Sequence, residues 1–240
     1  MKINEMWPGG PRLYSDGAFQ IGTDAVLLSD FPEMGGVRRV CDLGAGSGII
    51  SILLAWQHPE ITVDGIELLP QAAQTAKENA ALCGLTDRVR FIQGDLRRHR
   101  ELLKAGDYDL VVTNPPYYPA GSGKSAADGD TATARDERSC TLRDVCAAGA
   151  YLTRYRGRFA LVHKPERLGE VICAMHEAGL EPKRLRLVQH TAGSPPSLIL
   201  IEGRRGGRPS LKIQAPLLLT DENGGESREI RRIYHRRQDT

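Results

Sequence analysis

Between residues 37 and 112, short apolar runs of strand composition alternate with helical stretches. No other feature constrains the fold as much. Residues 37–41, 61–66, 89–92 and 108–112 read as strands. Residues 48–57 form an apolar helical stretch, and residues 70–83 an amphipathic, alanine-rich one that opens on Pro70 and closes at Gly84. Strand and helix repeated at this spacing predict a parallel, doubly wound α/β sheet with helices on both faces. The pattern resumes with a helix over 140–155, a strand over 158–162 and a helix over 165–178 stopped by Gly179. Two last strands, 183–188 and 198–202, are joined by a link too short for a helical crossover, so they must pair antiparallel. A seven-stranded, mostly parallel sheet with an antiparallel last strand follows.

With 240 residues and neither an internal repeat nor a composition boundary, the chain is expected to be one domain. Residues 1–22 are rich in glycine and proline and read as irregular; a short helix follows over 23–31, with Thr23 as its N-cap. Residues 118–138 carry Gly, Ser, Ala and Asp without periodicity and read as a long loop, usually functional or disordered at such a length. The tail beyond Gly203 lacks strong periodicity until a short helix near its end. No apolar run approaches the roughly 20 residues that cross a bilayer, and the first residues lack a signal peptide's apolar core. The expected location is the cytoplasm. Five cysteines form no CxxC pair, so neither a zinc site nor a disulfide framework is predicted, and no metal is expected.

Net charge is only +2, but residues 97–100, 203–212 and 228–237 are basic clusters. Such clusters either neutralise phosphates or are solvated surface, and composition does not choose between them.

Four constellations carry chemistry. At the first strand-to-helix turn stand Asp42, Gly44, Ala45, Gly46 and Gly48. Glycines there let a ligand approach the backbone beside helix N–H groups. A dinucleotide site favours G-x-G-x-x-G, whereas this turn reads G-x-G-x-G after an acid. It resembles the S-adenosylmethionine (AdoMet) turn of Rossmann-like class I methyltransferases. Glu67, ending the second strand, suits the two hydroxyls of a ribose. Asp95 with Leu96, after the third strand, is a candidate for the adenine amino group.

The fourth constellation follows the apolar run 108–112: Asn114, Pro115, Pro116 and Tyr117. Two prolines end the strand in a stiff turn, because each lacks an N–H and fixes φ near −65°. The turn presents a side-chain amide, bare carbonyls and an aromatic ring. It matches the N-P-P-Y signature of amino-group methyltransferases. Their acceptor amine is a poor nucleophile because its lone pair is delocalised. Donating its N–H bonds to the Asn114 side chain and the Pro115 carbonyl favours a pyramidal nitrogen, while Tyr117 stacks on the planar substrate. Enzymes with this motif act on adenine N6, guanine N2 or a release-factor glutamine, and the motif alone does not separate them.

The flanks narrow the choice. Phe19-Gln20-Ile21-Gly22-Thr23-Asp24, Ala134-Arg135-Asp136-Glu137, Val162-His163-Lys164-Pro165-Glu166, Pro182-Lys183-Arg184 and Glu202-Gly203-Arg204-Arg205 resemble the bacterial family that methylates N6 of adenine 37 in a valine tRNA. The resemblance implies a tRNA partner and places Gln20 and Asp24 in a segment, residues 1–36, that covers the cofactor. It also implies a basic extension over 203–240, with Arg204, Arg205, Arg208 and Lys212, joined by Arg135, facing RNA. An rRNA adenine and a release-factor glutamine stay open as alternatives; an enzyme of the latter kind is expected to carry a further N-terminal helical domain, and about 20 residues precede Thr23 here. A non-catalytic RNA-binding module is the competing class. An NAD-dependent dehydrogenase leaves the N-P-P-Y motif without a purpose.

Overall fold

The computed structural model describes residues 2–15, 22–115, 117 and 140–235. Gln20, Pro116, Arg135 and the expected loop over 118–138 therefore lie outside the described residues. In chain order the elements are β1 (Lys2–Glu5), β2 (Arg12–Ser15), α1 (Thr23–Asp30), β3 (Arg39–Leu43), α2 (Ile49–Gln57), β4 (Thr62–Glu67), α3 (Pro70–Leu82) and β5 (Val89–Gln93). They continue with α4 (His99–Leu102), β6 (Tyr108–Thr113), α5 (Leu142–Leu152), β7 (Thr153–His163), α6 (Leu168–Glu177), β8 (Leu180–Gln189), β9 (Pro196–Arg205), β10 (Lys212–Ile213), β11 (Leu217–Leu218) and α7 (Arg228–Ile233).

The main sheet runs β10-β8-β9-β7-β6-β3-β4-β5. β9 lies antiparallel between β7 and β8, and β3 to β7 pair in parallel. The seven expected strands and the antiparallel last one are present. Two short strands, β10 and β11, extend the sheet by pairing in parallel with β8. They come from the stretch that carries no periodicity.

Both faces of the sheet are covered, and period-two burial states it residue by residue. Val40, Leu110, Val112, Ala160 and Val162 pack with α1, α2 and Ala76 and Ala80 of α3. Their chain neighbours Cys41, Val111, Phe159 and Leu161 pack with α5 and α6 on the other side. A strand buried on both faces reads as a continuous apolar run, the signal that residues 108–112 carried.

Three local expectations need correction. Residues 1–22 are not wholly irregular: β1 and β2 form an antiparallel hairpin, with Leu13 and Trp7 buried in the first core. Trp7 stacks on His235 at 4.2 Å between ring centroids, so the N-terminal hairpin meets the residue that closes the described chain. The N-cap of α1 is Gly22, not Thr23, and no side chain caps it. The helix expected over 140–155 stops at Leu152, where the Thr153 hydroxyl donates back to the Gly149 carbonyl at 2.7 Å. β7 starts there and bulges: Thr153 faces Tyr108 but Arg158 faces Leu110, with Arg156 at φ 63° between them. Exposed bulge residues interrupt alternation, so the start of this strand was hidden.

Candidate active site

The glycine turn leaves the C-terminal end of β3. Gly44, Gly46 and Gly48 have φ of 71°, 56° and 85°, the left-handed region where a side chain is strained. A Cβ on Gly44 or Gly46 would meet nothing within 4 Å, so bare backbone faces open ground there. At Gly48 it would strike the Phe91 ring at 2.6 Å, so this glycine serves the packing of helix on sheet. The Gly44 and Ala45 N–H groups donate to the Ile66 carbonyl at 2.9 and 3.0 Å, pinning the turn to β4.

Glu67 ends β4 and is buried, 7% exposed. Its carboxylate takes the Gly46 N–H at 2.7 Å on one oxygen and the Leu69 N–H at 2.8 Å on the other. It braces the glycine turn while keeping lone pairs for hydroxyls, since each carboxylate oxygen accepts twice. Asp42 is fully buried beneath the turn. Ser51 of α2 donates to one oxygen at 2.7 Å, and the other, Oδ1, has no protein partner. Burial pushes its pKa up to about 7, against the opposing Ser51 bonds.

Asp95 caps a short 3-10 turn, Leu96–Arg98, and both its oxygens are held by the Arg97 guanidinium. That pairing holds its carboxyl below the usual range. The predicted acceptor for a cofactor adenine is thus already engaged by Arg97, a pairing that the residue types did not reveal. Leu96 packs against the core on the α5–α6 side.

Parallel pairing sets the second half of the site. Leu43 is level with Thr113, and the Thr113 hydroxyl donates to the Leu43 carbonyl at 2.9 Å. Asn114 therefore begins its turn level with Gly44, one strand spacing of about 4.8 Å across. The Tyr117 hydroxyl oxygen lies 2.5 Å from Asp24 Oδ2 and 2.7 Å from the side-chain amide of Asn114. Asp24 stands in the first turn of α1, where its other oxygen accepts the Ala25 N–H at 2.8 Å.

Three residues at and just beyond the end of β7 complete the surround of Tyr117, and none had been assigned a role. His163 meets its ring edge-on at 5.4 Å, and the Lys164 ammonium lies 5.2 Å from the ring centroid. Arg167 donates to the Tyr117 backbone carbonyl at 3.2 Å and forks onto Glu170. His163 Nδ1 accepts the Lys164 N–H at 2.8 Å, which leaves the hydrogen on Nε2, buried without a partner. Burial first, then the nearby Arg167 charge, depress its pKa to about 4, so the ring is neutral. The signal available was position: His163 ends the strand next to the one that carries Asn114.

Of the expected RNA-facing residues, the structure does not bring Arg204, Arg205, Arg208 or Lys212 to this end, and Arg135 lies outside the described residues. Arg204 pairs with Arg158, whereas Ile199 pairs with His163, so β9 carries Arg204 about 16 Å down the sheet from the site. Arg205 donates to the Thr153 carbonyl at 2.6 Å and anchors the start of β7. The Arg208 carbonyl takes the Lys183 ammonium, and Lys212 pairs with Arg184 in mid β8. Tyr234, which follows α7, does reach the site: its hydroxyl pKa is raised by burial, against a Thr23 hydrogen bond, and by the Asp24 carboxylate.

The residues fit AdoMet: open backbone over two left-handed glycines, a buried carboxylate at the end of the next strand and an orphaned acceptor below. Fold and site together define an AdoMet-dependent class I methyltransferase. The solved structures agree on the fold. A predicted O-methyltransferase from Agrobacterium tumefaciens superposes with a TM-score of 0.71 at 18% identity, covering 89% of this chain and 96% of that one. A geranyl diphosphate methyltransferase in complex with AdoMet gives 0.55 at 17% identity, covering 75% and 84%. The methyltransferase small domain family matches residues 9–129. A curated relative, the tRNA1(Val) (adenine(37)-N6)-methyltransferase of Aeromonas hydrophila, is 34% identical over 190 residues, covering 79% of this chain and 78% of its own. The chain belongs to the tRNA1(Val) (adenine(37)-N6)-methyltransferase family.

Among the described residues no group of three or more His, Cys, Asp or Glu is placed to hold a metal ion, and no helix is long and apolar enough to cross a membrane.

Proposed function

We propose that this chain methylates the exocyclic N6 amine of an adenine in tRNA, adenine 37 of a valine tRNA. The observation that carries the reading is the Leu43–Thr113 register, which stands the glycine turn and Asn114 side by side. AdoMet, when bound, supplies an electrophilic methyl group. Gly44, Ala45, Gly46 and Glu67 would hold it, with Asp42 below the turn.

The chain's own residues supply the rest. Asn114 and the Pro115 carbonyl accept the two N–H bonds of the amine and turn its lone pair out of conjugation. Tyr117, braced by His163, Lys164 and Arg167, offers its ring for stacking, worth about 1–3 kcal/mol for a base. Holding nitrogen and methyl group in line is the main contribution, and such positioning can supply about 7–11 kcal/mol. The neutral His163 adds no charge beside the acceptor. No general base is required, because the cationic nitrogen formed on methyl transfer is strongly acidic and loses its proton to water.

An anticodon-loop adenine is unpaired, so presenting it costs less than flipping a base from a duplex. Arg204, Arg208 and Lys212 are then proposed to meet the stem rather than the target nucleotide. A cytoplasmic setting follows from the substrate. Labelled AdoMet offered together with total tRNA, rRNA and release factor tests the reading. Label in the tRNA fraction supports it; label confined to rRNA or to release-factor protein refutes the substrate while leaving the transferase.

A further inference from the structure

One hydrogen count around Tyr117 does not close as the atoms stand. Its hydroxyl oxygen is within hydrogen-bond distance of Asp24 Oδ2, at 2.5 Å, and of the Asn114 side-chain oxygen, at 2.7 Å. A phenol has one hydrogen and can donate only once. As a carboxylate Asp24 has no hydrogen to give and can only accept, and its other oxygen takes the Ala25 N–H at the start of α1. Tyr117 therefore donates to Asp24, and whatever Asn114 turns toward the phenol must itself be a donor. The two ends of an amide have the same shape, so the count assigns Nδ2 to that position and turns Oδ1 the opposite way.

We propose that Asp24 is a positioning residue that acts through Tyr117 to fix which end of the Asn114 amide faces the substrate. A carboxylate at 24 makes the chain run Asn114 N–H to Tyr117 oxygen, then Tyr117 O–H to Asp24. Oδ1 is then left to accept an N–H of the incoming amine. The opposite orientation presents two N–H donors to an amine that itself offers N–H bonds, and nothing pairs. The polarity of one residue in the first helix thus sets the polarity of the acceptor site 90 residues later. This deepens the proposed function and rests on Asn114 receiving an amine.

Asp24→Asn tests it, because the change keeps the shape and reverses the polarity. Its oxygen keeps the Ala25 N–H, its amide nitrogen donates to the phenol, and the phenol hydrogen passes to Asn114 Oδ1. With unmodified valine tRNA transcript and saturating AdoMet, Asp24→Asn should lower kcat by about 10²-fold, the scale of losing one preorganised polar contact. Asp24→Ala removes the constraint without reversing it and should cost about tenfold, so the isosteric change does more harm than the truncation. In a Tyr117→Phe background the two should become equal, since no hydroxyl remains to pass the polarity on. The AdoMet dissociation constant should stay within about twofold for both, as no uniform binding is lost.

Asp24→Asn retaining more activity than Asp24→Ala would overturn the proposal. So would a difference that survives Tyr117→Phe, or AdoMet binding weakened in both variants with kcat intact. A second readout needs no RNA: in the full-length protein, the Asn114 side-chain NH2 protons should show a nuclear Overhauser effect to the Tyr117 ring protons beside the hydroxyl, and Asp24→Asn should abolish it. Its absence from the parent protein refutes the relay. If the parent methylates no RNA, the functional reading fails and this effect alone still decides the relay.

Discussion

Asn114 offers the sharpest separation of roles at the level of single residues. Replacing it with Ala removes the proposed acceptor for the substrate amine but touches neither the glycine turn nor Glu67. Methyl transfer should fall by at least about 10²-fold while the AdoMet dissociation constant moves by less than about twofold, the pattern of a contact used in the reaction alone. Calorimetric titration beside single-turnover rates checks both halves. Two glycines of one turn should part company in the same way. Ala at Gly46 meets no protein atom within 4 Å, so the chain bears only the left-handed strain, about 1–2 kcal/mol, while the new methyl fills open ground and weakens AdoMet binding. Ala at Gly48 meets the Phe91 ring at 2.6 Å and should lower the melting temperature more than its neighbour does. Thermal melts with and without AdoMet distinguish the two.

At the level of elements, the joints between strand and helix hold two buried titrating groups with opposite pH dependence. Asp42, under the β3–α2 turn, has its pKa raised from 3.8 to about 7, so the folded state binds a proton that the unfolded chain releases. Its contribution to stability is present below pH 3.8 and is lost as pH rises through about 7. His163, at the end of β7, is depressed from 6.5 to about 4; its contribution is present above pH 6.5 and lost as pH falls through about 4. The parent protein shows the sum. Asp42→Asn keeps an acceptor for Ser51 and removes the first slope, so its melting temperature relative to the parent should climb from pH 5 to pH 8, at about 2–4 °C for each kcal/mol. A difference that is flat across that range contradicts the burial account of Asp42.

The elements also show what the sequence could and could not convey. Strands β3, β4 and β6 were legible because burial on both faces writes a mostly apolar run, β5 because its apolar residues alternate with exposed ones, and α3 because Pro70 and Gly84 mark its ends. The antiparallel β8–β9 pair followed from the shortness of its link. The β1–β2 hairpin was not legible, since its stability comes from Trp7 and Leu13 packing against distant elements rather than from local pattern. In the site, the glycine turn, Glu67 and Asn114 were read from residue type and spacing. His163, Lys164 and Arg167 escaped because their contacts with Tyr117 depend on which strand lies beside which; Asp24 was named through the resemblance, as part of the segment over the cofactor, but its contact with Tyr117, 93 residues away, was not foreseen.

At the scale of the whole molecule, the basic groups divide between two ends of the sheet. Lys164 is at the acceptor end, whereas Arg208 and Lys212 border the lower half of β8. If the target nucleotide sits at Asn114, a short hairpin carrying only the anticodon loop should not reach the lower group. Charge reversal at Arg208 and Lys212 together should raise KM for full-length tRNA and reduce the salt dependence of its binding, with little effect on the hairpin. Equal effects on both RNAs contradict the proposed orientation. The C-terminal helix belongs to the same scale, because α7 is tied back by bidentate pairs from Arg186 to Glu229 and from Arg232 to Asp30. Its Ile230 and Ile233 are buried in the first core, with the Trp7–His235 stack beside them. Removing α7 is expected to loosen α1 and, with it, the seat of Asp24.

All three scales converge on an amine held beside a methyl donor. Mass spectrometry of nucleosides from valine tRNA transcript, incubated with AdoMet and either the parent protein or Asn114→Ala, tests that most directly. The parent should yield N6-methyladenosine and Asn114→Ala none. A methyl group on ribose oxygen or on another base, or N6-methyladenosine formed equally by both proteins, would contradict the account.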